Sequence, residues 1–306
     1  MHSQGTPEYI LLPDNRRLYT QVLQPVTKSD VTVVFESGSA STRSIWARVQ
    51  PKIATFAPAI VYDRAGLGLS DPDPQGRSLT RMAADLNCLL DYFAAPRYIL
   101  VGHSAGGAIV RLAAAQCPER IVGLVLADPA DEADDTLFSP AYRHAERIVL
   151  AVHRILAQLH LLPLFYRNLL AALPSDAAAD LRHDGMSAAV FSTCIEQSRT
   201  FLDQLYTWRN TPPDTGNIPI SIISGALPGN GISRNARTRL NVLHRQRAIQ
   251  SPYGRHVVAP RSGHYVPLDG AEELTDEIIG MIQRKTAKIE SRGLASSRQK
   301  EEHDLN

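Results

Sequence analysis

Cysteine is scarce in this chain: Cys88, Cys117 and Cys194 stand far apart, and no Cys-x-x-Cys spacing occurs. A disulfide framework and a structural zinc site are both excluded by that pattern. No excess of charge exists either, since 32 basic residues face 31 acidic ones for a net +1. Nothing therefore points to nucleic acid or a polyanionic partner. No apolar run approaches the roughly 18 residues that a membrane span needs. The first 20 residues are polar, with Asp14, Arg16 and Arg17, and show no secretory signal. A soluble cytoplasmic protein without a membrane partner is the expectation. His-Glu-x-x-His and Gly-x-Gly-x-x-Gly are also missing, and the pair Gly66 and Gly68 is too short for a dinucleotide fingerprint. Neither a metal nor a cofactor is expected.

What the chain does have is size and rhythm. Its 306 residues, 44% hydrophobic and 21% charged, suffice for one sizeable core or a core carrying an insertion. Arg17 to Pro25 reads as an edge strand or hairpin arm, and Val31 to Phe35 as a buried strand. A helix over about 43–52 and a strand over 59–62 follow. Residues 79–93 carry Leu79, Met82, Ala83, Leu86, Leu89, Leu90 and Phe93 at helical spacing. A strand at 98–101, a helix at 105–116 and a continuous apolar strand at 121–127 come next. Fully apolar strands alternating with helices predict an α/β fold, a mostly parallel doubly wound sheet covered on both faces. From about Glu132 to Asp214 only helical patterns appear, over 142–160, 163–173, 176–189 and 193–209, which predicts an all-helical cap. The alternation resumes with a strand at 219–224, a helix at 235–250, a strand at 256–259 and a helix from 271 to about 288. The expected division is a core over 1–131 and 216–291, a cap over 132–215, and a polar tail over 292–306. No internal repeat is visible.

The chemistry concentrates at Gly102-His103-Ser104-Ala105-Gly106-Gly107. A serine between glycines, where a strand turns sharply into a helix, is a nucleophile elbow. The cramped turn excludes side chains at the flanking glycines and leaves one hydroxyl exposed at a sheet edge. Serine needs a general base, and the base needs an orienting group. His264, in Ser262-Gly263-His264-Tyr265 just after the last strand, is the candidate base, because loops at the carboxyl ends of parallel strands gather at one edge. His103 more naturally packs beneath the sheet end. His144, His153, His160 and His183 fall in the presumed cap, where surface or packing roles are the simpler account.

An acid belongs a few residues beyond the strand 219–224, yet Gly225 to Gly231 contains no Asp or Glu. The preceding strand ends instead in Asp128, followed by Pro129, and a short carboxylate there can reach the far nitrogen of an imidazole. Asp128 is assigned, with Asn230, Asp131 and Asp269 as poorer-placed rivals. The alternative is that Asp128 only organises the following turn. A tetrahedral intermediate needs two donors: the backbone N–H of Ala105 at the elbow, and that of Ser39 in the loop where Gly38 permits close approach. Asp63 and Arg64 read as a charged pair holding the glycine-rich loop together.

The elbow, Tyr62-Asp63-Arg64-Ala65-Gly66-Leu67-Gly68-Leu69-Ser70, Glu36-Ser37-Gly38-Ser39 and Ser262-Gly263-His264-Tyr265 together resemble the α/β-hydrolase fold superfamily over about Arg17 to Ile289. The resemblance implies Ser104 as nucleophile, His264 as base and Ser39 as an oxyanion donor. Two departures stand out. The usual His-Gly of the oxyanion loop is Ser37-Gly38, and the acid after the penultimate strand is absent. Some branches, including certain lactone hydrolases and dehalogenases, place the acid after the earlier strand, where Asp128 stands. A serine nucleophile counts against epoxide hydrolase and haloalkane dehalogenase chemistry, whose alkyl-enzyme esters need a carboxylate. The expected activity is hydrolysis of a carboxylic ester or lactone of a hydrophobic, even bulky, small molecule, by a monomer or homodimer. Phe165, Tyr166, Phe191, Phe201, Tyr206 and Trp208 either line its pocket or form the cap's own core. Amide, aminopeptidase-like or carbon–carbon bond hydrolysis is the runner-up, with Glu132, Asp134 and Asp135 as acids near the cap entrance. A ligand-binding protein on a hydrolase scaffold is the other class.

Overall fold

The computed structural model describes residues 2–26, 28–229 and 231–284. Asn230 and the predicted tail 292–306 lie outside the described residues. The chain runs through β1 (Thr6–Leu11), β2 (Arg17–Leu23), β3 (Val31–Glu36), a 3-10 turn (Arg43–Trp46), α1 (Gln50–Ile53), β4 (Ala59–Tyr62), α2 (Leu79–Phe93), β5 (Arg97–His103), α3 (Ala105–Gln116) and β6 (Ile121–Ala127). The insertion follows as α4 (Asp135–Phe138), α5 (Pro140–Gln158), α6 (Leu162–Phe165), α7 (Arg167–Ala171), α8 (Ser175–Asp180), a π turn (Leu181–Gly185), α9 (Ala188–Ser198) and α10 (Phe201–Thr207). The core then resumes with β7 (Ile220–Gly225), α11 (Arg234–Gln250), β8 (Arg255–Ala259) and α12 (Val266–Asp269), and residues 271–284 are helical.

Among the described residues eight strands form one sheet in the order β1-β2-β4-β3-β5-β6-β7-β8. The pairs β1–β2 and β2–β4 are antiparallel, and the other pairs are parallel. This is the mostly parallel α/β sheet with a helical cap that the strand and helix rhythm predicts. Period-two alternation feeds two cores, one on each face. Val34, Tyr98 and Leu100 pack with Leu86 and Ile109 on one face, whereas Val33, Phe35, Ile99 and Val101 pack with Trp46, Ile53, Leu274 and Ile278 on the other.

Of the two readings of residues 17–25, the hairpin arm holds and the edge strand does not, because β1 pairs antiparallel with β2 on its outer side. Two other local readings need correction. The helix expected over 43–52 is a 3-10 turn followed by a single helical turn, a path that buries Arg43, Ile45 and Trp46. The helix expected over 176–189 ends in the π turn, and Ser187 is not helix interior but the cap of α9, accepting from the Val190 N–H.

A buried arginine fastens cap to core. Arg43, 1% exposed, pairs with Asp63 from the end of β4 and reaches Asp180 at 2.7 Å and Asp184 at 3.3 Å in the cap. Its guanidinium lies over the Tyr19 ring at 4.4 Å. The amino-terminal residues add to this joint, since Ser3 donates its N–H to Asp176 at 2.6 Å and His2 lies 3.2 Å from Asp180.

Candidate active site

β5 carries the chain into an elbow at Ser104, whose φ is +53° and ψ −120°. Packing explains the glycines around it. A Cβ on Gly102 would lie 2.6 Å from the Gly106 carbonyl oxygen, and one on Gly106 would lie 2.5 Å from that of Glu36. The turn is locked by Ser104 N–H donating to Ala127 O (3.1 Å) and Ala130 N–H donating to Ser104 O (3.0 Å).

Three residues far apart in sequence meet here. His264 Nε2 lies 3.1 Å from Ser104 Oγ, and its Nδ1 lies 2.7 Å from Asp128 Oδ2. Nδ1 must donate to the carboxylate, so Nε2 is left to accept from the hydroxyl. The Asp128 side chain is fully buried, while that of His264 is 25% exposed. Burial alone would raise the Asp128 carboxyl; hydrogen bonding and charge from His264, then from Arg237, outweigh it and hold it well below the usual carboxylate range. Asp131 does not join this chain of contacts, since Arg247 binds both of its oxygens at 3.0 Å. Asp269 is exposed at the end of α12.

The loop after β7, which carries no acid, still takes part: Gly225 N–H donates to Asp128 Oδ1 at 3.2 Å. Arg237 on α11 donates to the same oxygen at 2.5 Å. Pro129 O accepts from His244 Nε2 at 3.0 Å, and His244 Nδ1 meets Ser224 Oγ at 2.7 Å. None of these groups was singled out from sequence. Only the placement of Arg237 and His244 at 3.6-residue periodicity toward the sheet offered a signal.

His103 does more than pack. It is 1% exposed, donates Nε2–H to the His264 carbonyl at 2.9 Å and has its ring 4.9 Å from that of His264. Burial, then the neighbouring His264, pushes its pKa down to about 3, so it stays neutral.

Ser39 and Ala105 are brought to the same edge. Among the described residues neither backbone N–H donates to another protein atom, which leaves two unspent donors beside Ser104. A Cβ on Gly38 would lie 2.9 Å from His103 Nδ1 and 3.2 Å from Ser104 Cβ. That loop is gripped from both sides: Arg64 donates to Gly38 O at 2.7 Å and pairs with Glu36, and Gln197 of the cap donates to Ser39 Oγ at 3.1 Å. Asp63 and Arg64 therefore do not pair with each other. Asp63 holds the glycine-rich loop by accepting from Leu69 N–H at 3.1 Å, whereas Arg64 holds the loop after β3.

A cavity of about 70 Å³ opens beside Ser39 between core and cap, lined also by Ile45, Tyr166, Met186, Phe191 and Tyr265. Of the cap aromatics, Phe165 and Tyr206 are exposed, and Phe201 and Trp208 belong to the main core. The acids near the cap entrance are engaged elsewhere. Glu132 pairs with Arg111 and Arg247, Asp135 with Arg209, and Asp134 caps α4. His153 packs against Phe191 and Tyr166, and His183 is exposed. Among the described residues no group of three His, Cys, Asp or Glu is placed to hold a metal ion, and no helix is long and apolar enough to cross a membrane.

Residues 33–277 match the alpha/beta hydrolase family. The chain is 35% identical over 103 residues to the uncharacterized protein YqjL of Bacillus subtilis, a match covering 33% of this chain and 41% of that protein. It thus spans about two fifths of the length of that relative. Its structure is similar to that of the epoxide hydrolase CorEH without ligand, with a TM-score of 0.70, 17% identity, and coverage of 91% of this chain and 99% of that one. It is also similar to a thermophilic esterase from Thermogutta terrifontis with malate bound, with a TM-score of 0.65, 19% identity, and coverage of 92% and 99%. Likeness at these identities speaks for the fold alone.

Proposed function

The chain belongs to the alpha/beta hydrolase family, and from that premise we propose that it is a serine hydrolase cleaving a carboxylic ester or lactone of a small hydrophobic molecule. The observation that carries this reading is the unbroken contact from Ser104 Oγ through His264 to Asp128, at 3.1 and 2.7 Å. His264 takes the hydroxyl proton as Ser104 attacks the carbonyl carbon. The N–H groups of Ser39 and Ala105 receive the oxyanion. The imidazolium, steadied by Asp128, then protonates the leaving alkoxide, and water releases the acyl group by the same steps. In a lactone the alcohol and acid leave as one molecule.

The nucleophile separates this chemistry from that of epoxide opening, despite the similar fold. Opening an epoxide by a covalent route forms an alkyl ester on a carboxylate, and Ser104 cannot supply that. The cavity beside Ser39, lined by Ile45, Met186 and Phe191, suits an apolar group. A peptidase would need a free acid for the substrate amine, and Glu132, Asp134 and Asp135 are committed to other partners.

The test is release of alcohol from a panel of short-chain aryl esters and lactones. Ser104→Ala should lower kcat by at least about a thousandfold, and Asp128→Asn by a comparable factor, with folding unchanged. Equal turnover by wild type and Ser104→Ala would sink the enzyme reading.

A further inference from the structure

We propose that Arg237 is a positioning residue of this reaction: its guanidinium is a fixed cation on the far oxygen of Asp128, keeping that carboxylate turned toward His264 and the pair ready at lower pH. The inference rests on reading Ser104, His264 and Asp128 as the reacting set.

The two oxygens of Asp128 do different work. Oδ2 faces His264 Nδ1 at 2.7 Å, while Oδ1 accepts from Arg237 Nη1 at 2.5 Å and from Gly225 N–H at 3.2 Å. Asp128 projects from an irregular backbone, so its carboxylate gains from such a tether. Its φ is +44°, and Pro129 follows, so the side chain leaves a strained turn rather than a regular strand. Arg237 also stands apart from its own helix. Arg234, Arg239 and Arg245 of α11 are exposed to water, whereas Arg237 is 2% exposed. A buried ion pair is a weak source of stability, since apolar replacements of similar volume often do as well. Stability alone therefore gives little reason for an arginine at this point.

The charge matters because of what else faces the pair. From the elbow comes His103, from α11 His244, and from the loop after β8 Tyr265, whose ring lies 5.9 Å from that of His264. From the end of β7 come Ser224, whose hydroxyl also meets His256 Nε2 of β8 at 2.9 Å, and the Gly225 N–H. Both buried histidines are pushed down by burial, which favours their neutral forms. A guanidinium keeps its charge in proteins, and Arg237 sets one against Asp128 Oδ1. A cation there favours the deprotonated form of every neighbour, and the working state requires a proton on neither the carboxylate nor Nε2.

The experiment is the pH dependence of kcat/KM for wild type, Arg237→Gln and Arg237→Lys, on an ester that the wild type hydrolyses. Glutamine keeps bulk and a hydrogen bond without charge, and should move the acid limb up by about one pH unit. Lysine keeps the charge and should leave the limb within a few tenths. A merely structural role would lower the whole profile without moving its limb. An unmoved limb in a folded Arg237→Gln, checked by near-UV circular dichroism, overturns the proposal while leaving the serine hydrolase reading intact. If glutamine prevents folding, a lysine variant whose limb moves by a full unit overturns it equally. Absence of any Ser104-dependent turnover in the wild type would overturn the site reading, and this inference with it.

Discussion

Ser104 and Asp128 both sit at positive φ, +53° and +44°, where a side chain costs about 1–3 kcal/mol of backbone strain. Two such residues within hydrogen-bond reach of one imidazole mark the place where the fold trades stability for orientation. Gly38 shows how little slack remains, because an added methyl would press on His103 and Ser104 together. Gly38→Ala should displace the Ser39 N–H and reduce kcat by about a hundredfold, with KM little changed; steady-state kinetics on a soluble ester would show it. A smaller effect than threefold would mean that the loop gives way. Ser104 and His264 were legible in sequence because each lies in a short local pattern. Arg237 and Gly225 were not, since they reach Asp128 across 109 and 97 residues, and no local spacing encodes such a meeting.

Among the elements, α2 has the bounds that its sequence predicts, because its apolar period is regular and Ser78 caps it. The cap is helical as its sequence predicts but breaks elsewhere, since the periodicity runs on across Ser187. β1 escaped notice because Thr6–Leu11 is mostly exposed and carries one buried apolar side chain, Ile10. Burial sorts the helices more sharply than composition does. Along α5 and at its C-cap, Ile148, Val152, Ile155 and Leu159 are 46–60% exposed, so this apolar stripe faces outward. Ile155→Lys should therefore change stability by no more than about 0.5 kcal/mol, whereas Leu86→Ala in α2, fully buried, should cost about 2–5 kcal/mol. Paired urea titrations would measure both. A large loss from Ile155→Lys would show that the stripe is covered in solution.

For the whole molecule, the Arg43 joint ties three parts of the chain through one guanidinium. Removing it leaves Asp63 buried without its partner, so Arg43→Met should cost about 3–5 kcal/mol. Adding Asp63→Asn should restore a good part of that loss, and a double-mutant cycle by thermal unfolding would separate the pair from mere packing. If the second substitution made matters worse, the Asp180 and Asp184 contacts would be carrying the joint instead. The loop after β7 is the converse case, a segment released from duty. Ala226 and Leu227 donate to Ser262 O at 2.8 and 2.9 Å, and Gly225 serves Asp128 through its backbone, but residues 227–229 and 231 beyond are exposed and supply no reacting side chain. On the proposed assignment of Asp128 as the acid, that tip becomes a natural grafting point, where an epitope or a recognition loop can be spliced in beside the sheet edge that holds Ser104 and His264 without touching either.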